Sequence, residues 1–189
     1  MPLVVGLTGL ASSGKGEVST YLSTKYDFKK LVFSDVVREE ARKRNLLIDT
    51  ASSEQQKYIL SRLGENMRKE SGRWDILAEK LVEKIRAQEI ERSVVDGFRS
   101  VEEVSLFRKN FERFYLVLVN ADEGIRFLRR KAEDPVATIE NLRKRDNENI
   151  EFMGLGKVMK MADFTIYNNE QGVGHLYQKV DELMQRINV

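Results

Sequence analysis

The first seventeen residues place the strongest constraint on how this chain folds. Leu3, Val4, Val5 and Leu7 form an apolar run that reads as a buried strand, and the run stops at Gly9. Small residues, Ala11, Ser12 and Ser13, then lead to Gly14, Lys15 and Gly16. From Glu17 the apolar spacing turns helical, through Val18, Tyr21 and Leu22. A strand, a glycine-rich loop, a lysine and a helix in this order form a cradle for polyphosphate. The loop N–H groups converge on the anion, the helix N-terminus adds positive potential, and the lysine reaches the outer phosphates. Residues 9–17 are therefore expected to line a phosphate site. The spacing G-x-x-x-x-G-K is met by Gly9, Gly14 and Lys15, but Gly16 replaces the Ser or Thr whose hydroxyl commonly ligates Mg²⁺.

The rest of the composition narrows the class. At 189 residues the chain fits one domain with a full core, residues 1–189. Its formal net charge is only +2 with 33% of residues charged, which argues against general nucleic-acid binding through a basic stripe. No stretch approaches the ~20 apolar residues of a membrane span. There is no cysteine, so disulfides and thiolate metal sites are excluded. The opening residues lack the basic flank and long apolar region of a signal peptide, and a cytoplasmic location is expected.

Four more segments read as buried strands: Leu31–Phe33, Ser93–Val95, Phe114–Val119 and Phe164–Tyr167. Helical patterns separate them, which predicts an α/β fold: a five-stranded parallel sheet flanked by helices in three layers, with ligands at the carboxyl ends of the strands. Ser100 and Glu103 form a capping box before a helix ending near Asn110, Asn120–Glu123 opens another, and Asp134-Pro135 is read as a cap followed by a first-turn proline. Leu176, Val180, Leu183, Met184 and Ile187 make one face of the last helix. Between the second and third strands, helical patterns at Val36–Asn45, Ser53–Ser71 and Arg73–Gln88 far exceed the dozen or so residues a crossover needs. They predict a helical lobe over about residues 36–92. Trp74 and Tyr58 are expected in its core, and the lone His175 in packing or capping.

The strand ends carry the chemistry. Asp35 follows the second strand, with Arg38 one helical turn away on the same face. A capping aspartate beside a solvated arginine would look the same. Val94-Val95-Asp96-Gly97-Phe98-Arg99 closes the third strand. An apolar run ending in aspartate at the sheet edge suits a metal-phosphate site, and a plain Asp-Gly turn is the competing reading. After the fourth strand, Arg126, Arg129 and Arg130 precede Arg143, Lys144 and Arg145. Such cations can neutralise a moving phosphoryl group, or form a solvated ion-paired face with the acids nearby.

Several of these motifs resemble known families. Gly14-Lys15-Gly16 resembles the loop of nucleoside monophosphate kinases such as adenylate kinase, although Glu17 stands where those kinases usually have Thr. Asp35–Arg38 resembles their Gly-Asp-x-x-Arg, and Asp96-Gly97-Phe98-Arg99 resembles their Asp-Gly-Phe-Pro-Arg without the proline. Ala162-Asp163-Phe164-Thr165-Ile166-Tyr167-Asn168 resembles the C-terminal end of dephospho-coenzyme A kinases. The mixture resembles archaeal-type adenylate-kinase-related proteins.

The resemblance implies a P-loop NTPase fold and an ATP-dependent kinase that uses Mg²⁺. Gly9, Ala11, Ser12, Ser13, Gly14, Lys15, Gly16 and Glu17 would bind ATP, with Arg126 and Asn168 as further contacts. Lys15, Asp35, Asp96, Arg126 and Arg130 would be catalytic, with Arg126 and Arg130 in a short helical lid over about residues 122–150. Asp96 would hold the metal through water, with Glu17 as a second candidate. Asp35, Arg38 and Arg99 would bind the acceptor, a small nucleotide. A nucleoside monophosphate is the first reading and dephospho-coenzyme A the second, with Asp35 then as base. A nucleotide-binding switch with little turnover is the alternative from another class.

Overall fold

The computed structural model describes residues 1–46, 53–151 and 154–189. Among them five strands form one sheet: β1 (Leu3–Thr8), β2 (Lys29–Val32), β3 (Arg92–Asp96), β4 (Arg113–Asn120) and β5 (Phe164–Tyr167). Every pairing is parallel, in the order β2-β3-β1-β4-β5. All six residues of β1 are buried, as a central parallel strand covered on both faces requires. The helices are α1 (Lys15–Tyr26), α2 (Phe33–Lys43), α3 (Ser53–Ser71), α4 (Ile76–Ala87) and α5 (Val101–Asn110), then α6 (Glu123–Glu133), α7 (Ile139–Glu151), α8 (Leu155–Lys160) and α9 (Gly174–Arg186).

Strand alternation sorts the core into two layers. Leu3, Val5 and Leu7 pack with Val18 and Leu22 of α1 and with Leu176, Val180, Leu183 and Met184 of α9. On the opposite face, Val4, Val95 and Leu116 pack with residues of α2, α3, α4, α5 and α8. Here Phe33, Phe98, Phe107, Phe111 and Phe114 form a chain of ring contacts with centroids 4.9–5.6 Å apart. Chain direction then decides where a ligand goes. From β1 the chain enters α1 on one face, and from β3 it enters α5 on the other. A crevice opens between the carboxyl ends of two such neighbours.

Several local expectations are corrected. Phe33 begins α2 rather than ending a strand, so β2 passes into the helix without a loop and Asp35 lies in its first turn. Asp134 and Pro135 do not start a helix, because the Asp134 carboxylate accepts from Arg130 (2.9 Å). Thr138 caps α7 instead, its hydroxyl accepting from the Asn141 N–H (3.2 Å). Arg73 folds back onto Asp75 and Glu79, delaying α4 to Ile76. Trp74, expected in the core, sits in that turn and is 45% exposed. His175 is exposed in the first turn of α9, and the Tyr58 side chain lies outside the described residues. The Ser100–Glu103 capping box forms as expected. Among the described residues no helix is long and apolar enough to cross a membrane.

Gly6 faces the phenylalanine layer. A Cβ there would stand 2.7 Å from Phe98 and 2.8 Å from Phe114. Gly6→Val is expected to destabilise the fold by about 1–3 kcal/mol through overpacking, read as a lower urea midpoint at unchanged slope.

Candidate active site

The loop after β1 carries left-handed backbone at Ser12 (φ 59°) and Gly14 (φ 105°). Only glycine fits the second position, because a Cβ would stand 2.3 Å from the Asn168 amide nitrogen. Lys15 opens α1 and folds back, donating to the carbonyls of Gly9 (2.9 Å) and Leu10 (2.8 Å). Burial lowers its pKa to about 8. Asp96 opposes that shift, while Arg99, Arg145 and Arg126 add to it.

Asp96 ends β3 opposite Leu7 of β1. The turn beyond it is tied to β1: the N–H groups of Gly97 and Phe98 both donate to Leu7 O (3.1 and 3.2 Å), and the Thr8 hydroxyl donates to Phe98 O (3.0 Å). Glu103, fully buried, accepts from the N–H groups of Arg99 (2.9 Å) and Ser100 (3.2 Å) and from Arg68 of α3 (3.0 Å). One carboxylate thus joins the site loop to the helical lobe. Burial pushes the Asp96 carboxyl up, against the pull of Lys15, Lys30 and Arg99, and its Oδ1 is buried with no partner. Arg99 opens to solvent, yet enough protein surrounds it that desolvation, then Arg145, disfavours its charge.

Among the described residues, the Arg99 and Arg145 guanidinium groups have no hydrogen-bond or ion-pair partner. Both act electrostatically on Lys15. Arg99 and Arg145 thus lie within electrostatic reach of Lys15, and Lys15 and Arg99 within reach of Asp96. Arg145, in a run of three cations, carried no sequence signal that set it apart from Arg143. Arg143 is held by Glu123 (2.7 Å) in a solvated pair.

The other expected cations are placed differently. Arg126 is buried, donates to Ala121 O (3.1 Å) and Ala11 O (3.2 Å), and pairs with Asp146 of α7 (2.8 Å). Arg130 pairs with Asp134 (2.9 Å) at the end of α6. Asn168, expected as an ATP contact, is buried and its amide donates to Ser13 O (2.9 Å). Glu17 is exposed and accepts from the Tyr177 hydroxyl (3.4 Å), with no lid arginine as partner. Asp35 and Arg38 pair with each other. They border a cavity of about 390 Å³ along the edge strand β2, with Lys30 and Arg42. The charges acting on Asp96 do not include either of them.

The residues fit a magnesium ion that arrives with a polyphosphate. Among the described residues no three His, Cys, Asp or Glu side chains cluster as a ligand set. Mg²⁺ keeps several waters and uses one or two carboxylates with phosphate oxygens. The unpartnered Oδ1 of Asp96 is suited to those waters, whereas Glu17 is turned to Tyr177.

Comparison with known proteins agrees with the fold. The AAA domain family model matches residues 5–153. A shikimate kinase from Bacteroides thetaiotaomicron superposes with a TM-score of 0.63 over 99% of both chains at 12% identity. A dephospho-CoA kinase from Campylobacter jejuni does so with a TM-score of 0.59 over 99% of this chain and 98% of that one, at 14% identity. At such identities the likeness concerns the fold, a P-loop kinase-like sheet. The UPF0200 protein of Methanothermobacter thermautotrophicus is 31% identical over 188 residues, 98% of this chain and 90% of that protein. The chain thus belongs to the UPF0200 protein family, with an AAA domain of P-loop kinase-like fold.

Proposed function

We propose that this protein transfers the γ-phosphoryl group of Mg·ATP to a small nucleotide, with a nucleoside monophosphate as the first-choice acceptor. The observation that carries the reading is that Lys15, at the loop after β1, and Asp96, at the end of the neighbouring β3, act on each other, with Arg99 acting on both and Arg145 on Lys15 and Arg99. Phosphoryl transfer needs positioning and positive charge more than covalent chemistry. In this reading the loop N–H groups and Lys15 hold the donor, Asp96 orders the metal's waters, and Arg145 faces the moving group. Arg99 takes the acceptor phosphate.

An ionised phosphate acceptor needs no general base, whereas a ribose hydroxyl does. The candidate base, Asp35, is engaged by Arg38 along the edge strand β2. That favours the monophosphate over dephospho-coenzyme A. The C-terminal resemblance to dephospho-coenzyme A kinases has a structural explanation at Asp163, which accepts from Leu116 N–H and Arg108 (both 2.8 Å) and anchors β5.

The test is Mg·ATP consumption across nucleoside monophosphates and dephospho-coenzyme A, with Lys15→Met as control. One acceptor that raises turnover far above the basal rate, lost in Lys15→Met, supports the reading. Slow ATP loss indifferent to every acceptor overturns it and favours the switch. With that acceptor, Arg145→Ala is expected to lower kcat about 10²-fold, while Arg130→Ala stays within about threefold because Asp134 already occupies that guanidinium. The Lys15 pKa of about 8 also sets a proton linkage. A bound polyphosphate favours the ammonium and raises that pKa, so binding leaves Lys15 protonated below pH 7 and takes up a proton above pH 8. Affinity should be flat at the lower pH and fall by up to about tenfold per unit above 8. Calorimetry at pH 8.5 in buffers of different ionisation enthalpy should show the uptake, and Lys15→Met should abolish it.

A further inference from the structure

A phosphate cradle works through its N–H groups, yet those groups are aimed by the carbonyls behind them. A peptide is planar and trans, so fixing the Ser13 carbonyl fixes the Gly14 N–H in the opposite direction. In this protein that carbonyl has two donors from outside the loop: the Asn168 amide (2.9 Å) and Arg129 Nη1 of α6 (3.4 Å). The other arm of Arg129 donates to Asn168 O (2.9 Å), and the Asn168 N–H donates to Asn120 O at the end of β4 (2.7 Å). Desolvation disfavours the Arg129 charge, with Glu170 opposing that effect.

We infer that Arg129 is a positioning residue for nucleotide binding: through Asn168 and the Ser13 carbonyl it aims the Gly14 N–H into the phosphate cradle, without touching the phosphates itself. The inference rests on the nucleotide-binding reading proposed above. It distinguishes Arg129 from Arg99 and Arg145, whose guanidinium groups have no partner among the described residues. It also gives the turn between β5 and α9 a role in holding the loop rather than in contacting the base. The arrangement is interlocked: Arg129 holds the Asn168 carbonyl with one arm and reaches Ser13 O with the other, and the Asn168 amide holds the same Ser13 O, so loss of Arg129 loosens both donors.

The experiment is calorimetric binding of Mg·ADP, without any acceptor, to the full-length wild type, Arg129→Ala, Asn168→Ala, the double variant and Arg129→Lys. Arg143→Ala is the control, since that guanidinium is taken up by Glu123 in an exposed pair. Arg129→Ala is expected to weaken ADP binding about ten- to a hundredfold, the range for a lost hydrogen bond to a charged group. The double variant should lose less than the product of the two single losses, a coupling that general destabilisation does not produce. Arg129→Lys, with the charge but not the two-armed fork, should recover only part of the affinity.

Binding by Arg129→Ala within twofold of wild type, fully multiplicative losses, or complete recovery by Arg129→Lys would each overturn the positioning role. Should Asn168→Ala fail to fold, the Ala and Lys variants of Arg129 decide. Failure of the wild type itself to bind ADP would overturn the nucleotide reading, and this inference with it.

Discussion

The tie between the ends of β1 and β3 is the contact on which the site depends. Leu7 O receives two N–H donors from the turn after Asp96, and the Thr8 hydroxyl closes the same turn through Phe98 O. These bonds are buried, where an unmade bond costs its full desolvation penalty. They bring the polyphosphate loop, which follows β1, against the aspartate and arginine that follow β3. Glu103 then extends the tie to the helical lobe through Arg68, so that lobe and loop share one buried carboxylate.

The electrostatics follow from that geometry. Gathering Arg99 and Arg145 near the buried Lys15 opposes stability, because like charges repel and burial removes their water, while Asp96 works the other way. The lowered pKa of Lys15 expresses that opposition directly. Sites that bind polyanions commonly carry such strain when empty, and the ligand relieves it. Elsewhere the protein neutralises its charges in pairs: Arg126 with Asp146, Arg130 with Asp134, Arg143 with Glu123. The difference between paired and free arginines separates supporting residues from those open to a ligand.

Much of this was legible in the residues and some was not. The five strands, the Ser100 capping box and the apolar face of the last helix rest on local periodicity and side-chain chemistry, and all are present. The Asp134-Pro135 start failed because Arg130, four residues back, engages the carboxylate that was to cap the helix. Arg126 and Arg130 share helical spacing, yet one reaches Ala11 O and Asp146 while the other closes the end of its own helix. Spacing places side chains on a face; it does not say which partner is within reach.

The sequence by itself determined the parallel α/β sheet, the phosphate loop after its first strand and the aspartate at the end of its third. Those features depend on near neighbours: strand periodicity, glycine's access to left-handed backbone, and a lysine at a helix start. Only the tertiary structure decided which described arginines are paired, that Asn168 and Arg129 donate to the Ser13 carbonyl, and that Asp35 is held by Arg38. These depend on contacts between residues as far as 155 apart in the chain, such as Asn168 with Ser13. Local propensity carries no record of such pairings, because packing the helices onto the sheet creates them.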